Sequence, residues 1–297
     1  MTKLLGKLTL VIILTLSFTA FTIQSNALAE KGTEVLDHSH MAYDTLLKKY
    51  VQNARVDYKG FIASEKQFDS YLRQLGSVSE SDYTNWSRDQ KLAFWINAYN
   101  AFTIKAIIDN YPIEKRFGLV SFFYPKNSIR QIDGIWDKIK FRAVGKMVTL
   151  NQIEHEILRK EFKEPRIHVA IVCASVGCPD LRSEAYTADR VNEQLESQSE
   201  RFVNNPSKGV QIDTERNEVK LSKIFDWFGK DFVEKYGNTE FFKDLSPKET
   251  AVLNFAIRHL KSEEERKFLE SDKFKISYLD YDWSLNEMKE ADSPSAS

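Results

Sequence analysis

Apolar residues along this chain recur at two spacings, and most of the chain follows the helical one. Residues 41–51 place Leu46, Leu47 and Tyr50 on one side of a helix. Asp57-Tyr58 opens a second helical segment, in which Phe61, Phe68, Tyr71, Leu72 and Leu75 recur and which Gly76 ends. Residues 89–110 give the clearest helix: Leu92, Trp95, Ile96, Tyr99, Phe102, Thr103 and Ala106 share one face, and Phe94, Ile104 and Ile108 make the others apolar too. A helix apolar nearly all round is buried. Tyr111-Pro112 stops it. Thr149, with Gln152 three residues on, caps a helix running to about Phe162. Residues 189–203 and 221–236 read as further helices, and Ser246-Pro247 with Glu249 caps another that ends at Leu260.

Alternation is confined to short runs. Residues 138–148 read as a hairpin turning at Gly145, 210–212 and 219–221 as a second hairpin, and 274–278 as a strand. The β-branched run 166–173 predicts one more strand. Residues 117–136 are irregular, aromatic and long for a connection, which marks a functional loop. No repeat and no break in composition separates Leu92 from Trp283. The expected fold is α+β: a single domain over 41–286, mainly helical with a small, mostly antiparallel sheet.

The ends read differently. Lys3 and Lys7 precede an apolar stretch over 8–23, and Ala27-Leu28-Ala29 has the small-x-small form of a cleavage site. A signal peptide over 1–29 is expected, followed by a flexible N-terminus over 30–40. The protein is therefore expected to be exported, periplasmic or secreted. No later stretch is apolar enough to span a bilayer, so no stable membrane insertion is expected after signal cleavage. Residues 287–297 are small and polar and are expected to be a disordered tail. The 42 basic and 43 acidic residues are interspersed, with no basic block, which argues against a nucleic-acid partner. The 20 Phe, 12 Tyr and 5 Trp suit a large core.

Candidate chemistry gathers in two segments. The only two cysteines, Cys173 and Cys178, flank a turn, and His168 precedes them. In residues 150–158, Glu154 falls inside the apolar stripe of Leu150, Ile153 and Ile157, with His155 on the flank. A carboxylate there must be paired, hydrogen-bonded or protonated; Arg159 and Arg166 are the candidate partners for a purely structural ion pair. Neighbours on a helix point about 100° apart, so Glu154 and His155 serve one site only if the backbone bends. On a strand His168 and Cys173 would face opposite sides, which makes His155 the preferred partner of Cys173 and sets His168 behind it. Cys173 as nucleophile, His155 as base and Glu154 as a buried orienting acid make the parts of a thiol-dependent hydrolase or acyl transferase on a peptide-like or small-molecule substrate. The alternative is a Cys173–Cys178 disulfide, a local clasp or redox element, in a non-catalytic envelope binding or scaffold module. Cys-x4-Cys with lone histidines does not match a common zinc spacing, and no cofactor is expected. Asn97 and Asn100, three apart in the buried helix, must find partners, either as a brace on neighbouring backbone or as a polar pocket wall.

Phe94-Trp-Ile-Asn-Ala-Tyr-Asn-Ala101, Ile153-Glu-His155, Arg166-Ile-His168, Cys173-Ala-Ser175 with Cys178-Pro179, Leu221-Ser-Lys-Ile-Phe-Asp-Trp-Phe228 and Tyr281-Asp-Trp-Ser-Leu-Asn286 together resemble the domain of unknown function 547 family. The resemblance covers residues 41–286. It implies a single domain found in exported bacterial proteins and, joined to other regions, in plant proteins, and it supplies no activity. It marks Glu154, His155, His168, Cys173 and Cys178 as falling within the family's characteristic motifs.

Overall fold

The computed structural model describes residues 36–115, 118, 120–238, 242 and 244–289. The expected signal peptide, residues 30–35 and the tail beyond 289 lie outside the described residues. In the stretch expected to be loose, Leu36 is buried, and the buried His40 ring bonds the Tyr71 hydroxyl through Nδ1 at 2.9 Å, while Asp37 and Ser39 are exposed.

The fold is α+β and mainly helical. Helices Met41–Tyr50, Tyr58–Ala63 and Glu65–Ser77 lie where the apolar spacing places them, the last two separated at Ser64. Helix Arg88–Ile108 is buried along most of its length. Ser87 and Gln90 close its first turn reciprocally, Ser87 Oγ accepting from Gln90 N and Gln90 Oε1 from Ser87 N. Helix Val191–Val203 and helix Pro247–His259 follow their expected spans, the latter with a Ser246–Glu249 capping box. The sheet is small. Val210–Asp213 runs antiparallel to Glu218–Leu221, which pairs in parallel with Lys275–Tyr278. Two further strand pairs, Val51–Gln52 with Arg55–Val56 and Phe141–Ala143 with Lys146–Val148, are antiparallel hairpins.

Residues 221–236 are not one helix but helix Lys223–Phe228, a 3-10 turn over Gly229–Phe232 and a helical turn Val233–Tyr236, and two further elements depart from the sequence reading. Residues 152–158 form a π-helix that passes into an α-helical turn, Arg159–Phe162. The wider turn sets neighbouring side chains roughly 80° apart in place of 100°. The expected strand over 166–173 is absent: Pro165–Val169 is a 3-10 helix, followed by irregular backbone. Pro165 and Glu164, whose carboxylate accepts from Arg166 N at 3.2 Å, start that turn. The run is β-branched because Ile167, Val169, Ile171 and Val172 are all buried, not because the segment joins a sheet. Its backbone bonds a side chain instead. Asn100 Nδ2 donates to Ala170 O at 3.0 Å, and Val172 N donates to Asn100 Oδ1 at 2.9 Å. Asn97 does the same for Tyr186, donating to its carbonyl at 2.7 Å and accepting from its N–H at 2.9 Å. The two asparagines of the buried helix are backbone braces.

Apolar side chains gather into two cores. One is built on the N-terminal helices and Arg88–Ile108 and includes Tyr43, Phe61, Phe94 and Phe102. The other joins the three-stranded sheet to Pro247–His259 through Val219, Phe225, Phe232 and Phe255. Each buried ring of this kind contributes about 2–3 kcal/mol of transfer free energy. Tyr281 packs against both cores.

Candidate functional site

A cavity of about 400 Å³ opens where the two cores meet. Its walls hold Cys173, Cys178, Glu154, His155 and His168, together with Tyr99, Arg130, Trp136, Trp227, Tyr281 and Trp283. The volume suits a small molecule, and the wall has the mix of aromatic surface and few polar groups found in ligand sites.

Cys173 and Cys178 form a disulfide, with Cα atoms 6.3 Å apart. The two sulfurs are not equivalent. Cys178 is buried at 2 % exposure, whereas Cys173 is partly exposed. Cys173 N–H donates to Cys178 Sγ at 3.0 Å, and the Tyr281 hydroxyl lies 3.0 Å from the same sulfur and 3.1 Å from Cys173 Sγ. Burial pushes the Tyr281 phenol up, so it remains a donor at neutral pH. The loop carrying the bridge is pinned by the C-terminal segment. Val176 N donates to Ser284 O at 2.8 Å, Gly177 N to Asp282 O at 2.9 Å and Asn286 N to Ala174 O at 3.0 Å. Gly177 has no side chain because a Cβ there would stand 2.9 Å from Asp282 N. Ala174, between Cys173 and Ser175, is held in the left-handed region at φ 58°, a conformation costing an L-residue about 1 kcal/mol.

Glu154 faces the interior at 8 % exposure and accepts from the Tyr99 hydroxyl at 3.1 Å through Oε2. Burial raises its carboxyl to about 7, against the opposing pull of the Tyr99 bond and of Arg159. Neither expected arginine pairs with it. Arg159 forks onto Asp231 through Nε at 2.6 Å and Nη2 at 2.9 Å, and Arg166 forks onto Glu164 with both distances 2.8 Å. Burial opposes ionisation of Glu164, but Arg166 and Lys235 hold it at about 2.

The π-helix brings both Glu154 and His155 to the one cavity. His155 Nδ1 lies 2.8 Å from Arg159 Nη1. A guanidinium only donates, so Nδ1 accepts and the ring carries its hydrogen on Nε2. Burial and then Arg159 lower the His155 pKa, which keeps the ring neutral. His168 also reaches the wall, a consequence of the turn that replaces the expected strand. It stacks on Phe228 at 4.3 Å and bonds Asp231 Oδ2 through Nε2 at 2.8 Å. Burial lowers its pKa despite Asp231. Among the described residues, Cys173 Sγ has Tyr281 and Ser175 as its polar neighbours, and neither imidazole touches it.

The site therefore unites all three residues proposed from the sequence, Cys173, His155 and Glu154, around one cavity without joining them in a hydrogen-bonded triad. Tyr99, Tyr281 and Asp231 complete it. Tyr99 reads in the sequence only as a member of an apolar face. Asp231 lies in a helical stretch with nothing to mark it, although Arg159, four residues from His155 on the same helix, signals a polar cluster.

The class so defined is a mainly helical α+β domain with an aromatic cavity floored by a disulfide. Residues 83–203 match the family model described as Protein of unknown function, DUF547. That span takes in the Phe94–Ala101, Ile153–His155, Arg166–His168 and Cys173–Pro179 motifs, while those at 221–228 and 281–286 lie beyond it. No curated protein and no solved structure matches the chain.

Proposed function

We propose that the cavity is a thiol–disulfide exchange site, with Cys173 as the sulfur that meets the substrate and Cys178 as its resolving partner. The observation that carries this reading is the pair of donors on Cys178 Sγ, the Cys173 N–H and the Tyr281 hydroxyl, each at 3.0 Å. A substrate thiolate attacking the exposed Cys173 Sγ breaks the S–S bond and drives its electron pair onto Cys178. Donors already in place stabilise the thiolate that leaves, which is the requirement for a fast exchange. Glu154, ionising near neutrality in the same cavity, accepts the proton of the incoming thiol. In the reverse direction the reduced Cys173 attacks a substrate disulfide and Cys178 resolves the mixed disulfide. An exported protein would meet an oxidising compartment, where such a pair rests in the bridged form.

This reading keeps Cys173 and Glu154 in the roles of reactive sulfur and acid and moves proton transfer from His155 to Glu154. The Nδ1 atom of His155 is engaged by Arg159, so the ring offers the cavity a donor and no base. Acyl transfer by Cys173, the other thiol chemistry expected from the sequence, needs the bridge opened first. A binding module with a purely structural clasp is the second reading. It is favoured by Trp227, 46 % exposed and stacked on Trp283 at 5.9 Å, which gives the cavity a ready aromatic wall.

The test is the reactivity of the bridge in the folded protein. Dithiothreitol at neutral pH should open Cys173–Cys178 within minutes while far-UV circular dichroism is unchanged, and brief alkylation should label Cys173 first. A bridge that opens only in denaturant overturns the exchange reading in favour of the clasp.

A further inference from the structure

Arg130 stands out among the charges of the cavity wall. Its guanidinium lies over three rings, 4.6 Å from the centroid of Tyr124, 4.9 Å from Trp283 and 5.3 Å from Trp136, and Nη2 donates to the Tyr124 hydroxyl at 2.6 Å. Those are its partners among the described residues, and no carboxylate is one of them. An arginine held by flat aromatic faces, with one Nη2 hydrogen on a hydroxyl, keeps further N–H donors for a planar anion. The loop bearing it is fastened from inside: the buried Gln131 amide donates to Ser121 O, Tyr124 O and Pro125 O at 3.1, 3.3 and 3.1 Å. The guanidinium is thus preorganised, which lowers the entropic cost of binding. Trp283, under Arg130, lies 4.5 Å from Tyr281, and the Tyr281 hydroxyl touches both sulfurs. Cation and disulfide stand on one continuous aromatic wall, two rings apart. A short peptide, extending roughly 3.5 Å per residue, reaches from one to the other. Asp137 is the exposed acid of the same lining.

We propose that the cavity takes a low-molecular-weight, peptide-like thiol or disulfide with a free carboxylate, which Arg130 binds while the substrate sulfur reaches Cys173. This rests on the exchange reading above. In the oxidising direction, one substrate thiolate attacks Cys173 Sγ and Cys178 leaves with the electron pair. A second substrate thiolate then attacks the mixed disulfide and releases Cys173. Two substrate thiols become one disulfide, the protein bridge becomes two thiols, and the two substrate protons end on the two cysteines.

The oxidised full chain is mixed with N-acetylated cysteinyl-glycyl-glycine or with its C-terminal amide, whose thiols ionise alike, and bridge opening is followed by acid quench, alkylation and mass. The free-acid peptide should react roughly tenfold faster at low ionic strength, and salt should erode the difference. Arg130→Gln should make the two rates converge, and Arg130→Lys should retain part of the preference. Equal rates in the wild type overturn the carboxylate subsite and leave exchange standing. A folded protein whose bridge opens with neither peptide overturns both.

Discussion

The Tyr99 hydroxyl donates to Glu154 across the interface between the buried 88–108 helix and the π-helix, at 3.1 Å. This bond is the only direct hydrogen bond to the Glu154 carboxyl among the described residues, too little to offset its burial, and the carboxyl remains protonated to about pH 7. Between an ordinary value of 4.5 and about 7 the folded chain holds a proton that the unfolded chain has lost. The contribution of this carboxyl to stability therefore falls as pH rises through that window and levels off above it, while the buried histidines, His40 lowered to about 4 among them, contribute in the opposite sense below 6.5.

Glu154→Gln removes the ionisation and keeps an acceptor for Tyr99. The variant should match the wild type near pH 4 and exceed its stability above pH 7 by up to about 3 kcal/mol. Urea unfolding across pH 4–8 checks this. A stability difference between the two proteins that stays constant between pH 5 and 7 would remove Glu154 as the neutral-range acid. The same variant should slow bridge opening by thiols near pH 7, because the proton acceptor is gone.

Tyr281→Phe deletes the hydroxyl that contacts both sulfurs and keeps the ring packed between the two cores. A donor to sulfur favours the thiolate, so its loss should raise the thiol pKa values of the reduced protein by about one pH unit. The alkylation rate of reduced protein against pH reports this directly. An unchanged profile with the fold intact would leave Tyr281 a packing residue.

Asn100→Ala strips partners from Ala170 O and Val172 N, both in buried residues next to the disulfide loop. Each orphaned backbone group costs about 1–3 kcal/mol, so the loss from the two should be about 2–6 kcal/mol in urea unfolding. Amide exchange of Val172 should accelerate well beyond that of residues in the Pro247–His259 helix, because the damage is local to the loop. Uniform acceleration across the chain would instead mean that Asn100 serves general stability alone.

The longer helices and two of the three hairpins among the described residues were legible because their apolar spacing follows from which side of each element is buried. Caps such as Thr149–Gln152 and Ser246–Glu249 bond as their spacing implies. The 166–173 segment misleads for a physical reason: a short apolar run reports burial on every side, and the brace that replaces its strand partners is an asparagine 70 residues upstream. The π-helix hides for a similar reason, since its residue preferences resemble those of an α-helix, yet it decides that Glu154 and His155 share a cavity. Cys173, Glu154 and His155 stand out by type and position. Tyr99, Arg130 and Asp231 do not, because their roles come from what packs against them.

Asp231 ties two side chains together: the Arg159 fork at 2.6 and 2.9 Å and His168 Nε2 at 2.8 Å. Burial raises its pKa, but His168 and Arg159 outweigh this and hold the carboxyl well below the usual carboxylate range. Stability from this group is present above the ordinary value of 3.8 and lost as pH falls from there toward the depressed folded value. Asp231→Asn leaves Arg159 without its counter-charge and should cost about 1–3 kcal/mol at pH 7. It should also act at a distance. Asp231 raises the Glu154 pKa and Arg159 lowers it, so deleting the aspartate charge must shift Glu154 ionisation to lower pH. The pH above which Glu154→Gln gains stability should therefore be lower in the Asp231→Asn background than in the wild type. An onset that stays in place in Asp231→Asn would mean that Glu154 titrates independently of the Arg159–Asp231 pair.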